Sequence, residues 1–457
     1  MFTDTPPLPQ RVRRMIDDVP IVDPHTHLRA VGPQARDLDA LLSYHWVRSE
    51  LIAVGMSPTT WSDPSLNGPD RLRVMLPYLK RMRSTAMGWT LRKMLRDLYD
   101  VLEPDLDESI LERLEDQVQT TGRDPSWAVE VLERRCRLHT YVTSLGNAAE
   151  SDAQAVRGGG GPIPSRTIGT IKVRYMLDAH YLFCPGVATD LTPFFPGRTE
   201  KIGYYDALCE AIGQRPDSTA RLDRAVGDWL ERVITGPTRF SNVFIPIETR
   251  FRPPDVVAAD AALGRAARGQ SLSASDLDEL IAAVSWAVLG WHHERSKAFQ
   301  IAVGAEYFIC DGKSIPRFDP TWTTEMARVF HHFGHARFDL MMASAVMTHD
   351  LAVLARQFPN VYLSGYWWHN FHPAAIESII ATRLELAPAM KVGGFLCDAY
   401  TAEWTYGKLE LVKLGLTNAL CRLIESRFLD EEDTPALLQQ ILHNTPRDLY
   451  DLNDPLP

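Results

Sequence analysis

Short runs of apolar and β-branched residues recur along the chain between longer stretches of helical, amphipathic pattern. They fall at 20–28 (PIVDPHTHL), 138–145 (LHTYVTSL), 172–179 (KVRYMLDA) and 240–248 (FSNVFIPIE). Four more follow at 298–306 (AFQIAVGAE), 338–345 (FDLMMASA), 360–368 (NVYLSGYWW) and 391–399 (KVGGFLCDA). None alternates strictly between apolar and polar, which is the pattern of parallel strands covered on both faces. Helical patterns separate them, as at 349–358 (HDLAVLARQF) and 374–385 (AAIESIIATRLE). Strand–helix alternation repeated eight times predicts an α/β fold, a distorted (β/α)₈ TIM-type barrel, with a doubly wound open sheet as the competing arrangement. The spacing is uneven: about a hundred residues separate the first two strands, and the span 29–135 reads as a helical insertion in the first βα loop. The whole chain, 1–457, is then one barrel domain. Gly158 to Pro164 (GGGGPIP) is the most linker-like stretch, and no G-K-[ST] follows it to suggest phosphate binding.

Composition changes this picture little: 45% hydrophobic and 23% charged residues are those of a globular protein. The net charge of −10 leaves only scattered basic clusters, such as Arg11 to Arg14, and argues against nucleic-acid binding. An acidic shell also gives no long-range pull on an anionic substrate, so carboxylate recognition must come from a local cation or metal. The six cysteines form no C-x-x-C pair and read as reduced, buried thiols. The N-terminus lacks an apolar signal core and no window of about 18 apolar residues occurs, which predicts a cytoplasmic protein with no membrane partner. Apolar surface in the first insertion is compatible with a homo-oligomer.

The chemistry concentrates at strand ends. In VDPHTHL, residues two apart on a strand point to the same side, so His25 and His27 project together at the barrel mouth. Two neutral imidazoles there are good ligands for Zn²⁺ or a similar divalent ion. The last strand ends in Asp398, and in a closed barrel the last strand neighbours the first. Asp398 therefore completes the ligand set and is also a candidate proton carrier, against the alternative of a helix N-cap. Glu248, Glu306, Asp178, His180 and His349 end other strands; of these, Glu306 and His349 suit acid–base work beside a cation, against the weightier alternative, for each taken singly, of a structural hydrogen-bonding residue. Trp367, Trp368, His369 and His372 (GYWWHNFHP) end the seventh strand, where aromatic faces suit a sugar or another flat small-molecule substrate, with packing into the core as the equal alternative.

These stretches resemble the uronate (glucuronate) isomerases of the amidohydrolase superfamily. The resemblance is carried by VDPHTHL, by SGYWWHN, and by the segment from Gly393 to Cys421 around Asp398. Tyr44 and Trp46 (SYHWVR) are similar to a Y-x-W-R element in that family's first insertion, and HNTPRDLYDL is similar to its N-N-A-R-D-Y-F tail. The resemblance implies a metal, usually Zn²⁺, on His25, His27 and Asp398, and aldose–ketose isomerisation of a hexuronate such as glucuronate by moving hydrogen between C1 and C2. It implies that the metal holds the uronate carboxylate and a neighbouring hydroxyl, with Asp398 and Tyr44 handling protons. The chain departs from the family where Q-x-H-x-G-A-x-R becomes QIAVGAEY, placing Ala302 at the His and Glu306 or Tyr307 at the Arg. It departs again where D-S-R becomes DAY, placing Tyr400 at an Arg, and W-R-P has no clear counterpart. Each lost cation removes a fixed partner for a carboxylate or enediolate. The second function class is accordingly a metal-dependent hydrolase or decarboxylase acting on a different small substrate, and the third a barrel that binds without catalysing.

Overall fold

The computed structural model describes residues 6–61, 63–145, 165–183, 200–245, 249–309 and 313–453, without the side chains of 306–309, 313–314 and 370. Gly158 to Pro164, Cys184, Glu248 and Cys310 therefore lie outside the described residues, as do the side chains of Glu306 and Tyr307. Seven parallel strands form the frame: β1 (Ile21–Thr26), β2 (Leu138–Ser144), β4 (Ile171–Asp178), β5 (Thr238–Phe244), β6 (Ala298–Val303), β9 (Arg337–Met342) and β10 (Val361–Leu363). They pair in that order, each beside its predecessor, while β3 (Arg166–Ile168) adds an antiparallel edge to β4. After β6, Gly304 turns the chain at φ +83° into a separate hairpin of β7 (Ala305–Ile309) and β8 (Lys313–Pro316). Position 306 thus belongs to this hairpin and not to the sixth barrel strand. The barrel strands are buried along nearly their whole length, which is why they read as apolar runs without alternation.

The stretch expected as an eighth strand, 391–399, does not form one. It touches the sheet at an isolated parallel bridge, Val392 to Leu363, and the rest has no regular ladder. The Gly393 amide donates to Leu363 O at 2.7 Å, the Asp398 amide to His25 O at 2.9 Å, and the His27 amide to Ala399 O at 2.9 Å. The segment therefore spans the gap between the two edge strands, β10 and β1, and closes the barrel. Two glycines make this possible: a Cβ on Gly394 would lie 3.0 Å from Ile441 and one on Gly393 3.3 Å from Ser364.

Between β1 and β2 the chain is helical, with helices Leu38–Leu42, His45–Ala53, Gly68–Leu79, Ala86–Tyr99 and Glu108–Arg123. Of these, Ala86–Tyr99 docks on the helix Ala402–Glu425, which follows the closing segment, and Leu41 O accepts from that helix's Trp404 Nε1 at 2.9 Å. Glu403, fully buried on its first turn, accepts from Tyr99 Oη at 3.1 Å, Trp127 Nε1 at 3.0 Å and the Ala35 amide at 3.0 Å. A buried carboxylate is tolerated only with its oxygens satisfied in this way, so Glu403 locks the helical layer to the barrel's last turn. Gly407 lets the helices approach closely, since a Cβ there would lie 2.6 Å from Thr90 Cγ2. None of the described helices is long and apolar enough to cross a membrane.

Candidate metal centre

His25 and His27 stand on and just beyond the C-terminal end of β1, where the two-residue period sends both rings to one side. Asp398 reaches them from the closing segment. Its Oδ1 lies 3.5 Å from His25 Nε2 and 3.1 Å from His27 Nε2. Three ligand atoms placed tetrahedrally at about 2.0–2.1 Å from an ion lie about 3.3 Å apart, so this spacing suits a shared cation. All three ligand atoms fall within 4.8 Å of one another. The closing segment aims the carboxylate by taking Asp398 to φ +49°. That left-handed backbone costs a non-glycine residue about 1–2 kcal/mol. It is held by the amide bond to His25 O and by Lys408 Nζ, which donates to the Asp398 carbonyl at 2.6 Å.

The layer beneath fixes the chemistry of His25. Asn242, Gln300 and Asp339 are ladder partners on the neighbouring strands β5, β6 and β9, and all are fully buried. Gln300 Oε1 lies 2.7 Å from His25 Nδ1 and also accepts from Asn242 Nδ2 at 2.7 Å. Its amide nitrogen donates to Tyr450 Oη at 2.6 Å and to Asp339 Oδ2 at 3.1 Å, and the Tyr450 hydroxyl donates to the same carboxylate. An amide oxygen only accepts, so Nδ1 of His25 carries the hydrogen and the neutral ring turns its Nε2 lone pair toward Asp398. A lone pair facing a carboxylate oxygen is repulsive unless a proton or cation lies between them. The donor set thus fits a divalent metal ion, with the outer partner that ligating histidines require.

In the metal-free chain a proton fills that role. Burial pushes His25 down, but the Asp398 carboxylate beside it outweighs burial and leaves the imidazole above its ordinary value. Burial would raise Asp398; its bonds to His25 and His27 and the Lys408 charge hold it well below the ordinary carboxylate value. Tyr44, the N-cap residue of helix His45–Ala53, brings its hydroxyl 3.5 Å from the Asp398 carbonyl. Burial, then the Asp398 charge, raises its phenol well above the usual range. Behind the cluster, Asp23 accepts from the Cys397 amide at 3.1 Å, and burial pushes its carboxyl up to about 6.

The remaining predicted residues separate into two groups. Tyr400 lies flat on His27, with ring centroids 5.0 Å apart and planes at 13°. From Tyr400 a series of rings continues through His45 (5.6 Å) and Trp46 (5.3 Å) to Trp368 (5.6 Å), Trp367 (5.3 Å) and Phe244 (5.6 Å). His180 follows at 6.4 Å from Phe244, with Nε2 3.8 Å from Asp178 Oδ1 and Nδ1 accepting the Phe244 amide at 2.6 Å. His369 is buried deeper, its Nε2 without a hydrogen-bond partner among the described residues, and burial lowers it to about 4. His372 lies beside it, ring to ring at 5.9 Å. His349 is not brought to the cluster: β9 ends at Met342, and His349 sits on helix Thr348–Gln357, 70% exposed and 3.5 Å from Asp350. The buried polar layer of Asn242, Gln300, Asp339 and Tyr450 was missed by motif reading. Its signal is a polar residue at the centre of an apolar strand, as in FSNVF, AFQIAV and FDLMM.

No protein-family model matches the chain. Over 100 residues, 22% of this chain, it is 22% identical to the uronate isomerase of Thermotoga sp. (strain RQ2), and that stretch spans 22% of the relative. The whole structure overlays on the uronate isomerase of Thermotoga maritima with a TM-score of 0.79, at 16% identity, over 98% of this chain and 100% of that one. It overlays on the glucuronate isomerase of Caulobacter crescentus with a TM-score of 0.76, at 17% identity, over 98% and 94%. The chain therefore has the barrel fold of these isomerases from end to end.

Proposed function

We propose that this chain is an aldose–ketose isomerase of a hexuronate or related sugar acid, working with Zn²⁺ held by His25, His27 and Asp398. The observation that carries the reading is the meeting of two imidazoles and one carboxylate, from opposite ends of the chain, at the mouth of a barrel that overlays on uronate isomerases along its whole length. Bound there, the ion supplies a Lewis acid for substrate oxygens. The chain supplies the proton handling. Asp398, held ionised at neutral pH, is the proton acceptor, and Tyr44, held as a neutral phenol with its hydroxyl 3.5 Å from the Asp398 carbonyl, is the proton donor. Lys408 keeps Asp398 in its strained orientation through the backbone carbonyl. Tyr400, Trp367 and Trp368 wall the substrate and exclude water, and His369 backs this wall. Glu306 is proposed to approach from the hairpin after β6. His349 takes no part in this scheme. A single barrel domain with 29–135 as its helical insertion, acting on a small molecule, is the organisation that fits it.

The test is direct. The purified chain, with zinc occupancy verified, is mixed with glucuronate and galacturonate, and ketose formation is followed. Turnover that disappears on chelation and returns with zinc is expected; no turnover of either sugar acid at full occupancy retires the reading.

A further inference from the structure

We propose that the helical layer between β1 and β2 carries a second binding site, apart from the metal centre, for a medium-chain alkyl carboxylate. Helix Gly68–Leu79, helix Ala86–Tyr99 and the loop 100–107 that follows it surround a cavity of about 500 Å³. That is the size of an ordinary small-molecule pocket, about 300–1,000 Å³. Its walls are Leu76, Leu79, Leu91 and Leu95, with Met82 at the turn between the two helices and Leu102 at the edge. Met82, Leu91 and Leu95 are buried while Leu102 is 78% exposed, so apolar surface runs from the interior out to solvent. Water in such a space finds few partners on side chains of this kind, whereas an alkyl chain gains their surface. None of the residues lining the cavity belongs to the metal cluster or to the ring series beside it.

The mouth fixes the head group. Lys80, Arg83, Arg92, Lys93 and Arg96 border the cavity, with Glu103 and Asp105 as the carboxylates beside them. Lys80 and Arg83 share Asp105, the first at 3.2 Å, and Glu103 is engaged by Arg113 at 3.1 Å. Lys93 and Arg96 turn to Asp97. Arg92 is exposed and pairs with no carboxylate among the described residues; its Nη1 donates to Arg83 O at 3.0 Å. The rim is therefore short of negative charge, on a chain whose net charge is −10. A local excess of cations over an apolar pit attracts an anion with an apolar tail and repels a cation with the same tail. Leucine and methionine walls do not suit a sugar acid, whose hydroxyls would lose their water without replacement. The ligand this chemistry recognises is a carboxylate at the end of a flexible hydrocarbon chain.

The experiment titrates the zinc-loaded full chain by calorimetry with hexanoate, octanoate and decanoate, and with octan-1-ol and octylammonium as head-group controls. Each buried methylene should tighten binding about fourfold, hence about fifteenfold for each pair added. At low ionic strength octanoate should bind about tenfold more tightly than octylammonium, with the alcohol between them. Arg92→Glu, at an exposed position, should weaken octanoate about fivefold and leave octan-1-ol unchanged, whereas Leu102→Asp should weaken both. After chelation of the zinc the affinities should stay the same; binding that disappears with the metal belongs to the metal centre and overturns the proposal. Affinity independent of chain length, octylammonium bound as well as octanoate, or octanoate binding unaltered in both variants also overturns it. No binding of decanoate overturns it as well, and if the chain then sediments as a dimer that Leu102→Asp splits, the cavity is a subunit interface. Binding is read here without turnover, so its failure is separate from failure of the isomerase reading.

Discussion

The two imidazoles of the cluster sit two residues apart at the end of one strand and are held by opposite kinds of force. His25 is almost wholly buried, and its far nitrogen is tied to Gln300, itself bonded to Asn242, Asp339 and Tyr450 in a dry interior. The His27 side chain is 22% exposed and lies against the flat face of Tyr400. Directional hydrogen bonds in low dielectric fix a tautomer and an angle, while ring stacking contributes only about 0.5–1.5 kcal/mol and tolerates sliding. In the proposed metal centre the inner side would therefore set how tightly the ion is held, and the outer side what is bound next to it.

Asp398 belongs to both sides, so its loss is the largest change. Asp398→Asn keeps the shape but removes the charge that two imidazoles and a divalent ion share. Metal content by elemental analysis should fall to background and activity with it; a fully loaded variant would refute the ligand set. Next in size is Gln300→Leu, which strips His25 of its outer partner. Such losses weaken metal affinity about 10–100-fold, readable by competition with a chromophoric chelator. If Tyr400→Ala weakens metal as much as Gln300→Leu does, the division into inner and outer sides is wrong.

The pH dependence follows from the same pair. In the metal-free chain His25 is raised, so its contribution to stability is complete below its ordinary value of 6.5 and is lost as pH rises through its folded value. Asp398 is lowered, so its contribution is present above 3.8 and is lost as pH falls through its folded value. The proton-bridged cluster is therefore most stabilising between those limits, and zinc must displace that proton. The rise in Tm at a fixed zinc concentration should be larger at pH 8 than at pH 6, with affinity falling about tenfold per pH unit once His25 is protonated. A thermal shift independent of pH would show that His25 is not a ligand.

All seven parallel strands were legible as apolar runs because burial on both faces leaves no other composition, and Ile21–Thr26, Leu138–Ser144 and Ala298–Val303 fall inside the predicted spans. H-x-H on the first of them placed two imidazoles on one side through the strand period alone. The closing segment misled because KVGGFLC has the same hydropathy as a strand, while Gly393, Gly394 and the left-handed Asp398 bend it out of a ladder. His349 misled because a motif at a run's end does not tell whether the chain has already turned into a helix. The layer under His25 was written as single polar letters on three strands, and only their register shows that they meet.

Tyr450 separates the two sides most finely, because it lies on the inner one at its far edge. Its hydroxyl both accepts from Gln300 and donates to Asp339, which is buried with its other oxygen unpartnered among the described residues. Tyr450→Phe keeps the ring against Phe240, 4.0 Å away between centroids, and removes only the polar bridge. Leaving one buried group unsatisfied costs about 1–3 kcal/mol, which denaturant unfolding of the metal-free chain would register. The Gln300–His25 bond itself survives, so metal affinity should weaken by no more than about threefold, well short of the loss in Gln300→Leu. Equal losses in the two variants would mean that Asp339 and Tyr450 orient the ligand as strongly as Gln300 does, and the inner side would then extend to the C-terminal end of the chain.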